Sequence, residues 1–491
     1  MRLRNASLLL MLGCLLLGWS CRSGFDDLVE DPTQPAAVNP EFLFTESMVR
    51  GSSDDVIGVR TEVWNLMVWN QQLSDIRGVA TSSDFFNYGA AAADDIWDRW
   101  YVGALTNLQE MIRIVENDPG SVNKLAIAKI WRAYLFHRIT DLWGDVPYSE
   151  ALQANNDPSI ITPSYDSQEF IYRDLLNELA TATTIMNPDL ESLGAADPMY
   201  QGDLDKWARF ANSLRLRLAI RVSGRDAALA ALHGEAVLTE NRLINAETES
   251  ARFPHTELRP LSIYSLFNVL VDDNPVVHYY PSQTFIDLLE NKNDPRLDVF
   301  ANPTEESLIF SNPDFVGVPS LALATELGNF TSFNTSAIDR RFYETALEGN
   351  AMSYSEICFL KAEAALLGWS GAGSTQMQYE EGVRSSMQYY QLPDSAISNY
   401  LSNDGAFDNT LEQIITEKWI TFQYRDGFEP FAELRRTGFP DLQNADGSLF
   451  APEMLPQRLP YPEGEVLNNS ENVRSVGVGI NDLDSKVWWA Q

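Results

Sequence analysis

The apolar residues of this chain recur at helical spacing in consecutive segments, a rhythm that restricts it to a mostly α-helical fold. From Ile96 to Glu116, the residues Trp97, Tyr101, Ala104, Leu105, Leu108, Ile112 and Val115 share one face. After a break at Asn117-Asp118-Pro119-Gly120, Ala128, Trp131, Leu135, Ile139 and Leu142 repeat the pattern. A second pair runs Phe170 to Met186 and Leu204 to Val222, the latter with Trp207, Phe210, Ala211, Leu214 and Leu218 as its stripe. A third is Tyr354 to Leu367 and Gln376 to Tyr390, parted by Gly368 to Gly373, and Asp408 to Gln423 adds another helix. Antiparallel pairs of about 34 residues are the unit of tetratricopeptide-like stacks. The strict repeat consensus is absent, so the expectation rests on geometry: tetratricopeptide-like helix pairs carrying long irregular loops.

Those loops are Ser74 to Ala93, Pro254 to Pro281, Asn302 to Tyr343 and Gly438 to Asn481, rich in Gly, Pro, Asn, Ser and aromatics. Loops of this length in a globular chain are usually functional. Sugars offer apolar ring faces and many hydroxyls, so their sites combine aromatic platforms with amide, carboxylate or guanidinium partners. Three loop groups have that composition, and their candidate ligand residues are Asp75, Arg77, Phe85 and Tyr88 in the first, Tyr264 and Tyr280 in the second, and Phe333 and Arg340 in the third. The competing reading of any single aromatic is that it pins its loop to the helical body.

The N-terminus points to export. Arg2 and Arg4 precede an apolar run from Leu8 to Leu17, followed by Gly18-Trp19-Ser20-Cys21, the layout of a secretory leader. The run is about half the ~20 residues a membrane helix needs. Leu17-Gly18-Trp19-Ser20-Cys21 resembles a bacterial lipobox, with an unusually bulky Trp19. Cleavage before Cys21 would expose it for acylation, including palmitate, and hold the protein on a membrane surface. An ordinary signal peptide with an incidental cysteine is the other reading. Residues 1–20 are thus read as a lipoprotein signal peptide, 21–39 as lipidated N-terminus and tether, and 40–491 as a single helical domain with a loop-built ligand face. Besides Cys14 in the leader and Cys21, only Cys358 remains, in an apolar helical pattern that suits a small buried hydrophobe.

Charge excludes one large class of partners. With 35 Lys and Arg against 69 Asp and Glu, the formal net charge is −34, which lacks the positive footprint that nucleic acid requires. Catalytic signatures are missing as well. His137, His233, His255 and His278 show no metal-ligand spacing, and no metal or other cofactor is expected. Gly371-Ala372-Gly373-Ser374-Thr375 lacks the lysine of a phosphate loop and reads as a turn between helices. Asn444, Asp446, Gly447 and Glu453 partly match a calcium loop, but Leu442 stands where its first acid should be, so a plain turn is preferred while structural Ca2+ stays open. The many acids are expected on the solvated surface.

Several segments resemble one family. Leu142 to Ala151 (LWGDVPYSEA) is similar to the hallmark segment of SusD/RagB outer-membrane lipoproteins, and Asn293-Asp294-Pro295-Arg296-Leu297 resembles another family motif. Glu356 to Ala365 (EICFLKAEAA), then Arg458-Leu459-Pro460-Tyr461-Pro462 with Glu465 and Asn468-Asn469, follow in the family's order. Lys486-Val487-Trp488-Trp489 resembles the RagB-type ending. These motifs read as scaffold, and they span essentially the whole chain.

The resemblance implies a helical, non-enzymatic binding lipoprotein on the outer membrane, exposed at the cell surface. It also implies a partner, a SusC-like TonB-dependent barrel on which the lipoprotein sits as a lid, and an oligosaccharide ligand passed to that barrel. Peptide capture in the manner of the RagB branch is the alternative. A glycoside hydrolase is the second, and it would need a carboxylate pair across one aromatic cleft.

Overall fold

The computed structural model describes residues 38–52, 61–62, 65–76, 86, 90–154, 157–254, 279–322, 324–342, 348–451, 454–479 and 481–491. Cys21 and the tether to Ala37 lie outside them.

The fold is mostly helical. Helix α1 (Pro40–Gly51) starts at Asn39, whose side chain accepts from Glu41 N. Helix α2 (Ala90–Asp98) passes through a π turn (Arg99–Leu105) into α3 (Thr106–Val115), followed by α4 (Val122–Trp143), α5 (Gln168–Ile185), α6 (Leu204–Val222) and α7 (Ala227–Glu240). The later helices include α8 (Gln283–Asn291), α9 (Tyr354–Leu366), α10 (Thr375–Tyr389), α11 (Asp394–Ser402), α12 (Leu411–Thr421) and α13 (Phe428–Thr437). Side-chain oxygens start most of them: Ser167 caps α5, Asp203 caps α6, Asp226 caps α7, Ser353 caps α9 and Thr410 caps α12. Each satisfies amide groups that have no partner within the helix. At the other end of α4, Gly144 takes a positive φ of 79° that a β-carbon would strain.

The helices pair as α1 with α3, α4 with α5, α6 with α7, and α9 with α10. The third pair expected from sequence is found, but the first two are shifted by one helix. The cause is that each helix of a stack also touches its other neighbour, as α3 touches α4 and α5 touches α6. Periodicity cannot tell those two contacts apart. Helix α7 is apolar around most of its circumference, and without a polar face it showed no stripe.

Helices α4, α6 and α9 touch in succession, and α12 and α13 close over them. The largest apolar cluster runs from Phe44 to Trp489 and contains Trp100, Trp131, Trp143 and Trp207. Along its seam the acids depart from expectation, because many are buried. Arg217 on α6 makes a bidentate contact to Glu356 on α9, both bonds 2.7 Å. Arg221 reaches Glu433 and Glu429 on α13, the latter at 2.5 Å, and Lys418 on α12 bonds Glu429 at 2.9 Å. Arg436 forks onto Glu363 at 2.6 and 2.8 Å, and Arg138 onto Asp426 at 3.2 and 2.7 Å. Buried charges persist only when paired and hydrogen-bonded, and here each partner comes from another helix or the turn before one. Burial by itself would raise the Glu433 carboxyl, but Arg436, Lys418 and Arg221 overcome it and pull it down to about 2. Glu356 shows the opposite balance, burial holding it above its ordinary value despite Arg217.

Three short ladders complete the fold. Strand β1 (Leu73–Asp75) pairs with β5 (Tyr279–Pro281), β2 (Val146–Pro147) with β3 (Tyr165–Asp166), and β4 (Ala251–Phe253) with β6 (Gly349–Met352), all antiparallel.

Candidate functional site

The loop groups singled out by composition meet at the β1–β5 ladder. Ser74 lies opposite Tyr280 and Asp75 opposite Tyr279, joining the first group to the second. The third is tied in where Gln283 N donates to Val318 O at 2.8 Å and the Ser74 and Ser320 hydroxyls lie 2.8 Å apart. Around this junction Tyr280, Val318, Ala322 and Leu327 form a small apolar cluster, with Ile76, Phe330 and Ala445 against it. Gln71 is the polar node beneath. Its Oε1 accepts from Thr284 Oγ1 at 2.6 Å and Gln443 N at 2.9 Å, and its Nε2 donates to Gln443 O at 2.7 Å.

The candidate residues divide by exposure. Asp75 is fully buried, and Tyr280 is 5% exposed with its hydroxyl pushed up by burial. In this conformation both hold the bases of the loops. Phe333 is 42% exposed on a tight turn in which Asn334 Oδ1 accepts from Thr331 N and Oγ1, both at 2.8 Å. Arg340 is exposed and opens a 3-10 turn (Arg340–Phe342). Arg77, Phe85, Tyr88 and Tyr264 lie outside the described residues. Their neighbour Phe86, an aromatic of the same loop group, has a φ of 56° and packs on Trp69 and Phe450 with ring centroids 6.1 Å apart in each case.

The partial calcium motif is the tip of a hairpin. Gln443 bridges Leu449, and Asp446 Oδ1 accepts from Ser448 N at 3.0 Å and Ser448 Oγ at 2.6 Å. Glu453 lies outside the described residues. Among those described, no group of three or more His, Cys, Asp or Glu is placed to hold a metal. No described helix is long and apolar enough to cross a membrane. Cys358 is buried, and burial pushes its thiol up to about 12.

The sequence model of a family described as SusD-like, starch-binding and associating with the outer membrane matches residues 32–462. The chain belongs to this SusD-like family. Among solved structures, it is similar to a chitin-binding protein at 29% identity and a TM-score of 0.80, over 92% of this chain and 100% of the other. A SusD homologue from Bacteroides uniformis matches at 25% identity and 0.78, over 92% and 99%. A chitin-binding SusD homologue from Flavobacterium johnsoniae, at 22% and 0.74 over 92% and 97%, shares the fold. Among curated protein sequences none matches.

In this SusD-like chain the family-like motifs interlock as scaffold. Trp143 Nε1 donates to Pro460 O at 2.9 Å, Leu459 N to Leu142 O at 2.7 Å, and Tyr461 Oη to Asp145 O at 2.6 Å. Trp489 Nε1 donates to Asp141 Oδ1 at 2.8 Å, and Arg296 reaches Glu417 at 2.5 Å. Sequence reasoning missed a groove of about 640 Å³ beside these motifs, floored by Trp97, Tyr101 and Pro147 and rimmed by Asp94, Asp98 and Glu463. Burial, then Asp94 and Asp95, push the Asp98 carboxyl up. The available signal was Asp94-Asp95 beside Trp97, on a helix already read for its apolar face.

Proposed function

We propose that this SusD-like protein captures oligosaccharides containing N-acetylglucosamine on the face built by its three loop groups. The observation that carries the reading is the 29% identity and 0.80 TM-score shared with a chitin-binding protein over that protein's whole length. The convergence of the groups at the β1–β5 ladder supports it, as does the exposure of Phe333 in the third group. An exposed aromatic ring stacks on the apolar face of a sugar, and neighbouring amide or guanidinium groups bond its hydroxyls. Arg77, Phe85, Tyr88 and Tyr264 belong to the same proposed face, with Arg340 at its edge. In this reading Cys21 carries the lipid that holds the protein at the outer-membrane surface, and bound glycan passes to a SusC-like TonB-dependent barrel. The protein binds its ligand and leaves it uncleaved.

Peptide capture is the second reading, favoured by one observation. The acid-rimmed groove at Trp97 has the charge to receive a basic peptide.

Calorimetric titration of the soluble form beginning at Arg22, against chitooligosaccharides and basic peptides, tests both. Saturable binding of N-acetylglucosamine oligomers, unchanged after incubation and weakened in F333A, is expected. Binding of peptides alone would replace the glycan reading with the second, and cleaved sugar in the mixture would make the protein a hydrolase.

A further inference from the structure

One cluster of side chains in this acidic protein brings two guanidiniums together with an excess of donors. The β4–β6 ladder sets Arg252 opposite Asn350. The guanidinium of Arg252 stands 4.5 Å from the ring centre of Tyr389, and that of Arg425, from the turn before α13, stands 4.1 Å from the same ring. Arg252 is paired with Glu247 and lies 3.8 Å from Glu348. Arg425 has no carboxylate within 4 Å among the described residues; its side chain makes a long hydrogen bond, 3.5 Å from Nη2 to Asn350 Oδ1, and its guanidinium lies against the Tyr390 hydroxyl.

The polar atoms left over are all donors. Asn350 is 8% exposed, and with its oxygen turned to Arg425 its Nδ2 has no partner. Arg252 Nε is likewise buried without one, and the Tyr390 hydroxyl, set against the Arg425 guanidinium, still has its own proton to give. Buried donors are costly to leave unpaired, so those beside the Arg425 guanidinium call for an acceptor. Burial, then the charge of Arg425, pull Arg252 down to about 10, as two cations without a shared anion would do.

The location links this cluster to the loop face. Strand β4 ends at Phe253, where the second irregular segment begins, and β6 begins at Gly349, soon after the third ends. Tyr390 packs on Phe342 of the third group, with ring centroids 6.1 Å apart.

We propose that Arg425, Arg252, Asn350 and Tyr390 form a subsite for an oxyanion carried by the glycan: the carboxylate of an acidic sugar or the sulfate of a sulfated one. The inference rests on the glycan-binding reading and adds an acidic substituent to the ligand. Charge-assisted hydrogen bonds to a guanidinium and a buried amide are strong enough to give about a tenfold preference for the charged ligand.

The test is calorimetry with N-acetylglucosamine tetrasaccharide and with its C6-carboxylate and C6-sulfate derivatives. The full mature chain is used, as wild type, Arg425→Gln and Asn350→Asp. Wild type is expected to bind one charged form about tenfold tighter than the neutral one, and the form preferred tells carboxylate from sulfate. That preference should fall in 0.5 M salt, vanish in Arg425→Gln and reverse in Asn350→Asp, with circular dichroism confirming that the variants are folded. Equal binding of all three sugars by wild type, or a preference that survives in both folded variants, would overturn the subsite and leave glycan capture standing. Binding of none would overturn the glycan reading and this inference with it.

Discussion

The pair between Arg217 and Glu356 offers the clearest quantitative test of how the scaffold is held. Arg217 is 1% exposed and Glu356 is fully buried, so replacing Arg217 by Met leaves a carboxylate in the interior without its bidentate partner. It also strips the Ala351 carbonyl of its 3.0 Å bond from Nη2. Removing one member of a buried pair costs about 3–5 kcal/mol. Unfolding entropy of roughly 2 cal/mol/K per residue sums to about 1 kcal/mol/K for a chain of this size, so Tm should fall by about 3–5 °C. The pH dependence has a definite direction. Glu356 is already held above its ordinary value, and loss of the cation raises it further in the folded state. The folded variant therefore takes up a proton. Its deficit against wild type is smallest near the unfolded carboxyl value of about 4.3 and grows as pH rises through the folded one. Calorimetric melting of wild type, Arg217→Met, Glu356→Leu and the double variant between pH 5 and 8 measures this. The double variant should regain most of the loss, since an apolar pair leaves no charge behind. A deficit below about 1 kcal/mol, a deficit independent of pH, or a double variant equal to the sum of the singles would each refute the reasoning.

Three further outcomes follow from the same seam and its surroundings. Glu433 is held near 2, below its unfolded value, so it stabilises the fold above about pH 4.5 and that contribution is lost as pH falls toward 2; Glu433→Gln should flatten the acid limb of stability against pH. A β-carbon at Gly234 would stand 2.1 Å from the ring of Trp369, so Gly234→Ala should cost about 1–3 kcal/mol by urea unfolding, and Trp369→Leu should restore part of it. Trp489→Phe keeps the packing but removes the bond to Asp141, and should lower stability by about 1–2 kcal/mol in the same assay.

The helices were legible where a polar cap and a one-sided stripe coincide. Asp203 followed by the stripe from Trp207 to Leu218 marks α6 to the residue. Helix α1 was missed because the sequence before it reads as tether, and α7 because it has no polar face. The buried network left a faint trace: Arg217 and Arg221, four residues apart, sit among Leu214, Leu216, Leu218 and Ile220, where solvated arginines would have no reason to be. Glu356 and Glu363 flank the apolar Ile357, Leu360 and Ala362 in sequence, and a one-dimensional pattern does not reveal the arginine arriving from another helix. The loop groups were visible by composition, but their meeting depends on pairing across long sequence separations, such as Ser74 with Tyr280. Which aromatics turn inward was not legible either. Tyr279 and Tyr280 are adjacent, and alternation would expose one, yet both are buried because the ladder is covered on both sides.

The bonds from Leu459, Tyr461 and Trp489 back to the end of α4 make the last part of the chain the keystone of an element near its beginning. A polypeptide that emerges N-terminus first carries Trp143 Nε1 and the Asp145 carbonyl with their partners still unmade, since these lie 317 and 316 residues further along the chain. The seal at the end of α4 therefore forms late in synthesis, long after the helices it joins have been made. A product that stops before Leu459 lacks the piece that seals the first helices, and leaves Leu142, Trp143 and Asp145 open to solvent.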